Sequence, residues 1–469
     1  MTSLTKWLRD RFPGPGTPTD FTPDDATVVR LFGDSRRGMH IRAVANRARE
    51  LGPQLGLGAD FEASLVEAAY CHDIGYASAM TQTGFHQLDG AVWCAHRGYG
   101  DDFVSAVLTH SGAREEAALD ARVRDIYASI PPIAPSLLAD ALTFCDLRTS
   151  PTGERFTANE RLHEIAARYG PDHIVTRSQP AAEPHMRAAR MRVLRRIAEA
   201  HGSLPWVFVD VDNTLVGPGE MPRERTARAI RDYVAAGGRV SLATGKHVEA
   251  IRLLQRALDL PGPHVSGNGA LVVDGDEVRA LYHLDAEHLE LTGELRRMEI
   301  AYIVYVRAQL LSDSPHLTDE KIWRLTRYYE SAPRRVDRVA PEDEPFKILT
   351  YVHQGDPRES DVRALAASAG VACVRTAPDF LEMLGNDAGK AHGMAWILEN
   401  SNWPTFHSVA IGDGENDLTM MRRAGLAFAV ANAETDVRKA ADRVFASCLD
   451  EGVADALDEL RRPCEARER

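Results

Sequence analysis

Residues 207–215 read VFVDVDNTL, an apolar run that closes on two aspartates, Asp210 and Asp212. Side chains two apart on a strand leave the same face, so both carboxylates would stand together at the end of a buried strand. There they repel one another and lose hydration, a cost tolerated mainly where a cation binds or where carboxylates do chemistry. The run is followed by RTARAIRDYVAAGG, RVSLAT and HVEAIRLLQRALDL. Short β-branched runs alternating with helical stretches are the rhythm of a parallel sheet with crossover helices.

The rest of the chain divides around this texture. Residues 1–25 form a Pro- and Gly-rich N-terminal arm. Residues 26–182 are helical throughout, with apolar residues at i, i+3, i+4 in stretches such as MHIRAVANRARELG and FEASLVEAAYCHDIGYA. Residues 183–204 hold a basic helix that ends at Gly202 and serves as a connector. The alternating block occupies 205–282 and 376–469, and a second α/β segment, 283–375, is inserted into it.

Composition bounds the function classes. With 469 residues, the chain has room for two to four domains. A formal net charge of −13 argues against a nucleic-acid partner, the basic stretch 187–196 being the local exception. The cysteines (Cys71, Cys94, Cys145, Cys373, Cys448, Cys464) form no CxxC pair, which suits reduced thiols and a cytoplasmic location. The N-terminus has no apolar signal-peptide core, and no apolar run is long enough to span a bilayer.

Three later segments supply what a DxD pair lacks for phosphoryl transfer. Thr244 and Gly245 stand at a strand end in SLATGK, Lys390 opens a helix in GNDAGKAHGM, and AIGDGENDLTMM places Asp413 and Asp417 after an apolar strand. Gly412 and Gly414 permit the tight turn there. One aspartate can attack phosphorus and the other can move the proton. Thr244 and Lys390 can hold phosphate oxygens, and the later acids can complete a hard-cation site suited to Mg²⁺.

The order DxDxT, Thr, Lys, GDxxxD resembles the haloacid dehalogenase superfamily over about residues 205–469. By that resemblance the region has a Rossmann-like α/β core with an inserted α/β cap of the Cof type, whose Asn-Gly turn is matched by VSGNGALV. The resemblance implies Asp210 as nucleophile, Asp212 as general acid and base, and Thr244 and Lys390 as phosphate holders. It implies Asp210, Asp212, Asp413 and Asp417 around Mg²⁺, and Thr244, Gly245, Asn268 and Asn416 toward a small phosphorylated metabolite such as a sugar phosphate, nucleotide or phosphorylated cofactor. A phosphomutase of the same cap type is the alternative. Lys246 stands where many relatives carry Arg.

The helical half carries a second constellation: His40, the adjacent His72 and Asp73 in AAYCHDIGYA, and Asp146 in LADALTFCDLRTS. A buried His-Asp pair is costly unless it coordinates or hydrogen-bonds, and this donor mix suits a divalent first-row metal. The pattern H…HD…D resembles the HD superfamily of metal-dependent phosphohydrolases, an all-α fold, over about residues 25–180. By that resemblance these four residues ligate a metal such as Mn, Fe, Ni or Co, and His86 and His110 would hold a second. Two departures stand out: HDIGY lacks the lysine of HDxxK, and HSGAREEA lacks the lysine of the di-iron oxygenases. The expectation is a bifunctional hydrolase. A di-iron oxygenase or a regulatory ligand-binding module is the alternative for the N-terminal half.

Overall fold

Ser35 accepts a hydrogen bond from the Gly38 N–H and starts the helix Arg36–Leu51, whose buried face (Ile41, Val44, Ala45, Ala48, Leu51) also carries His40. In the computed structural model, which describes residues 3–14, 22–217, 219–326, 331–385 and 389–462, the chain forms two compact units, 1–202 and 203–469. The first unit is helical, with the HD segment inside it. Its centre is the helix Leu137–Asp146, capped by Ser136 and buried at Leu138 and at every position from Asp140 to Asp146.

Two expectations about this unit change. The first residues of the arm form a helix, Leu4–Arg11, with Leu4, Trp7 and Leu8 buried. Its N-terminus is pinned by Asp101, which accepts from the Leu4 and Thr5 N–H groups at 3.0 and 2.9 Å. Residues 15–21 of the arm, and Cys464, lie outside the described residues. The basic connector is the second half of one helix, Ile174–His201, which buries Met186, Ala189, Val193 and Ile197. Its arginines serve packing: Arg192 grips Asp140 through two bonds of 2.6 and 2.7 Å, and Arg196 donates to the Leu55 carbonyl.

The second unit is built on a five-stranded parallel sheet in the order Arg443–Phe445, Leu426–Val430, Ser408–Gly412, Trp206–Val209, Arg239–Leu242. Every residue of the interior Trp206–Val209 strand is buried, as its near-continuous apolar run requires. Val209 pairs with Ile411, so Asp210 and Asp413 emerge at the same carboxyl edge of the sheet. That edge is where open α/β sheets bind ligands.

The inserted cap is a six-stranded, largely antiparallel sheet with its own apolar cluster around Tyr302, Val304, Ile348 and Leu381. It extends beyond the expected residue 375. Val371–Ala377 and Phe380–Gly385 form one antiparallel hairpin, Val371 facing Gly385, and the second strand pairs with Pro345–Tyr351. A hairpin cannot be divided between two sheets, so the cap runs to Gly385. The cysteines among the described residues are free thiols. None of the described helices is long and apolar enough to cross a membrane.

Candidate active sites

At the carboxyl edge of the parallel sheet, Asp210, Asp413 and Asp417 bring carboxylate oxygens within 4.8 Å of one another. The turn after Ser408–Gly412 makes this possible: the Asp413 and Gly414 N–H groups both donate to Asp417 Oδ2, at 2.8 and 3.0 Å. Gly412 is obligatory, because a Cβ there would lie 2.4 Å from the Asp417 side chain. Lys390, fully buried at the start of its helix, donates to Asp210 Oδ1 and, at 2.6 Å, to Asp417 Oδ1.

The electrostatics follow from that crowding. Burial and the Asp210 and Asp417 carboxylates push Asp413 up to about 9. Burial also raises Asp417, to about 6, although the Lys390 ammonium pulls the other way. Burial works against the charge on Lys390, yet Asp210 and Asp417 hold it above its ordinary range. Three acids sharing one ammonium still carry surplus negative charge, and an all-oxygen donor set of this size fits Mg²⁺.

The other expected residues surround this cluster. Asp212 turns toward Lys246, its Oδ2 lying 2.9 Å from the ammonium, which gives that unplaced lysine a contact. Thr244 is buried, and its Oγ1 accepts from the Lys246 N–H. Thr214 donates to Asp413 Oδ1 at 2.7 Å. Asn268 and Asn416 meet side chain to side chain at 3.0 Å. A cavity of about 240 Å³ opens over Asp210, Asp212, Thr244, Gly245 and Asn416, with Tyr305 and Phe380 on its cap wall.

In the helical unit, His40, His72 and Asp146 form one trio and Asp73, His86 and His110 another, each within 4.8 Å between ligand atoms. Backbone carbonyls fix three of the imidazoles. His40 Nδ1 lies 3.0 Å from the Ser150 carbonyl, and His72 and His110 Nδ1 lie 2.7 Å from those of Ala69 and Val107. A carbonyl only accepts, so each Nδ1 carries a proton and Nε2 is the nitrogen that faces the cluster, the one free to ligate a metal; His40 Nε2 lies 3.0 Å from Asp146 Oδ1. His72 Nε2, fully buried, finds no hydrogen-bond partner among the described residues. Its nearest acid oxygen is Asp73 Oδ2 at 3.4 Å. An unpartnered buried imidazole nitrogen beside two buried carboxylates is a donor set that fits a divalent cation.

Asp73 lies between the trios, its Oδ1 3.2 Å from His86 Nε2 and 3.9 Å from His110 Nε2. Burial opposes its charge, but Arg37 and His72 hold its carboxyl well below the usual range. Burial and the neighbouring imidazoles take His110 down to about 4. His96 and His163 lie outside the cluster, each bonded to a backbone carbonyl.

Several participants escaped the sequence reading. Arg37 pairs with Asp73 and lays its guanidinium 3.9 Å from the Tyr76 ring, which stacks on His86 at 4.1 Å. Tyr76 occupies the position of the missing HDxxK lysine, so the cation arrives from another helix. Ser111 donates to Asp146. In the cap, Lys347 and Glu382 form a buried pair at 2.8 Å. The signal for that pair was present: PFKILTYV and FLEMLG each set one charge in an apolar strand.

Both halves of the chain match known families. Residues 207–457, more than half of the chain, match the family described as haloacid dehalogenase-like hydrolase, and the chain belongs to that family. Residues 37–135 match the HD domain. Among curated relatives, a 5-amino-6-(5-phospho-D-ribitylamino)uracil phosphatase of Bacillus subtilis is 24% identical over 54% of this chain and 93% of its own length. A phosphoglycolate phosphatase of Methanopyrus kandleri is 28% identical over 55% of this chain and 98% of its own. A solved haloacid dehalogenase-like hydrolase from Bacteroides thetaiotaomicron is 25% identical, covering 55% of this chain and 100% of that one with a TM-score of 0.48. Family and site together define a hydrolase acting on phosphate esters.

Proposed function

We propose that the C-terminal unit hydrolyses a small phosphate monoester through an aspartyl-phosphate on Asp210. The observation that carries this is the meeting of Asp210, Asp413, Asp417 and Lys390 on one sheet edge beneath a cavity of about 240 Å³. Asp210 attacks phosphorus as the bond to the leaving oxygen breaks, and Asp212 gives that oxygen its proton. Asp212 then takes a proton from the water that attacks the phosphoryl-aspartate, and orthophosphate leaves. Thr244, the Gly245 backbone and Lys390 hold phosphate oxygens. Asp210, Asp413, Asp417 and the Asp212 carbonyl would hold Mg²⁺, which supplies charge neutralisation on the phosphoryl oxygens.

The cavity admits a small leaving group, and the relatives' names (a ribitylaminouracil phosphate, a phosphoglycolate) support that size class. The helical unit is a metal-dependent phosphohydrolase. His40, His72 and Asp146 would hold one divalent metal, and Asp73, His86 and His110 a second. Two complete trios, with three imidazoles held by Nδ1 so that Nε2 faces the cluster, support two metals.

Phosphate release from a panel of sugar phosphates, nucleotides and phosphorylated cofactors, in Mg²⁺ and separately in Mn²⁺, tests both readings. Asp210→Asn should abolish Mg²⁺-dependent monoester hydrolysis, a loss of at least about 10³-fold. His72→Ala should leave that activity intact while lowering bound transition metal. Monoester hydrolysis that survives in Asp210→Asn and disappears in His72→Ala would move the main activity to the helical unit.

A further inference from the structure

A chain of buried side chains runs from the cap into the loop that carries Asp413 and Asp417. Lys347, in the cap strand Pro345–Tyr351, is fully buried and lies 3.7 Å from the centre of the Tyr305 ring. Its Nζ donates to the Gly245 carbonyl at 2.6 Å and to Glu382 Oε1 at 2.8 Å. The other oxygen of Glu382 accepts from Asn268 Nδ2 at 2.5 Å, and Asn268 Oδ1 accepts from Asn416 Nδ2 at 3.0 Å. Lys347 and Glu382 belong to the cap; Gly245, Asn268 and Asn416 belong to the core.

The chain has a direction. Both Glu382 oxygens are engaged by donors, so the Asn268 amide can sit only with its nitrogen toward Glu382 and its oxygen toward Asn416. Asn268 is itself held in the left-handed region at φ +53, and its N–H donates to the Thr244 carbonyl. A residue kept at that φ by its surroundings marks a position that the structure over-determines. Asn416 sits between Asp413 and Asp417, so the last link acts on the loop that aims both acids. The Lys347 bond to Gly245 reaches the residue after Thr244, so one buried cation touches the opposite side of the same site.

We propose that Glu382 is a positioning residue: paired with Lys347 and acting through Asn268 and Asn416, it couples seating of the cap to the orientation of the Asp413–Asp417 loop. On this basis Asn268 and Asn416, expected from the sequence to meet substrate, work first on each other. The kinetic consequence rests on the phosphatase reading above; the structural coupling does not. Losing the link should lower kcat more than it raises KM, because the reacting groups are misaligned while the binding surfaces persist.

The test uses Glu382→Gln, Glu382→Gln/Lys347→Met and, as a variant that leaves the ion pair intact, Asn268→Ala. Glutamine offers one acceptor where two donors face it, which breaks the chain. The double variant removes both buried charges, so an unpaired Lys347 no longer contributes. Two readouts apply to the full chain: kcat and KM for p-nitrophenyl phosphate and for the best substrate of the panel, and amide hydrogen exchange of a peptide spanning residues 412–418. All three variants should lose about tenfold or more in kcat with KM within about threefold. The 412–418 peptide should exchange several-fold faster while the Trp206–Val209 strand keeps its wild-type rate. Recovery of wild-type kcat and exchange in the double variant would show that Glu382 merely neutralises Lys347, and the proposal would fall. If the wild-type chain releases no Asp210-dependent phosphate, the phosphatase reading fails alone. Exchange at 412–418 then decides the coupling, and unchanged rates in all three variants overturn it.

Discussion

Lys390 shows how one residue sets the character of a site. It is the charge that lets Asp210 and Asp417 coexist in a buried pocket. Breaking a buried pair by removing one partner costs about 3–5 kcal/mol. Lys390→Met should therefore destabilise the C-terminal unit at neutral pH. The acids left behind have folded pKa values already above the unfolded carboxyl, about 6 for Asp417 and about 9 for Asp413, and losing the ammonium pushes them further up. A raised folded pKa contributes stability that is fully present below the unfolded value and lost as pH rises through the folded one. The deficit of Lys390→Met should thus shrink as pH falls from 9 toward 5, and Mg²⁺ should raise its Tm more than that of wild type. Denaturant unfolding at several pH values reads this directly. A deficit independent of both pH and Mg²⁺ would mean that Lys390 is chiefly a packing residue. At this scale the sequence was most legible for residues in short ordered motifs, such as Asp210, Lys390 and Asp417. Lys347 and Glu382 were visible only as odd charges in apolar strands. Their partners, Gly245 and Asn268, lie about a hundred residues away, and pairing at that distance has no local signature.

At the scale of elements, period and capping located strands and helices well, and the errors fell where two elements share a boundary. Val371–Ala377 and Phe380–Gly385 are antiparallel partners, but nothing local in either segment states that they pair with one another rather than with the core. The cap therefore continues past the expected residue 375 to Gly385. The short strand His264–Ser266 illustrates what non-local pairing adds. His264 is fully buried; its Nδ1 accepts from the Leu242 N–H and its Nε2 donates to the Leu260 carbonyl, both at 3.1 Å. That ring must be neutral, and burial takes its pKa down to about 4. A depressed folded pKa gives stability that is present above the unfolded value of about 6.5 and lost as pH falls toward the folded one. The C-terminal unit should lose up to about 3 kcal/mol between pH 6.5 and pH 4 from this residue alone. His264→Gln, which can keep one acceptor and one donor, should flatten that part of the stability–pH curve. Equal slopes for wild type and His264→Gln would remove the assignment.

For the whole molecule, the two textures of the sequence, helical before Gly202 and alternating after Pro205, correspond to two separately packed units. Among the described residues, the apolar clusters of the C-terminal unit draw on residues from Leu204 onward, and the Leu147–Met186 cluster lies within the helical unit. The Asp210–Asp413–Asp417 cluster lies within 203–469, and both histidine-containing trios lie within 1–202. A unit that owns its core and its site can fold and turn over alone. Residues 203–469 expressed by themselves should retain kcat and KM for monoester hydrolysis within about threefold of the full chain, since no reacting group is removed. Residues 1–202 should bind transition metal with the full chain's stoichiometry, and chelation should lower the Tm of that piece by mass action. A phosphatase unit that folds but turns over more than tenfold slower would show that the helical unit acts on the other site. The question would then pass from two independent hydrolases to a regulated one, with His72→Ala in the full chain separating a metal-dependent effect from a merely structural one.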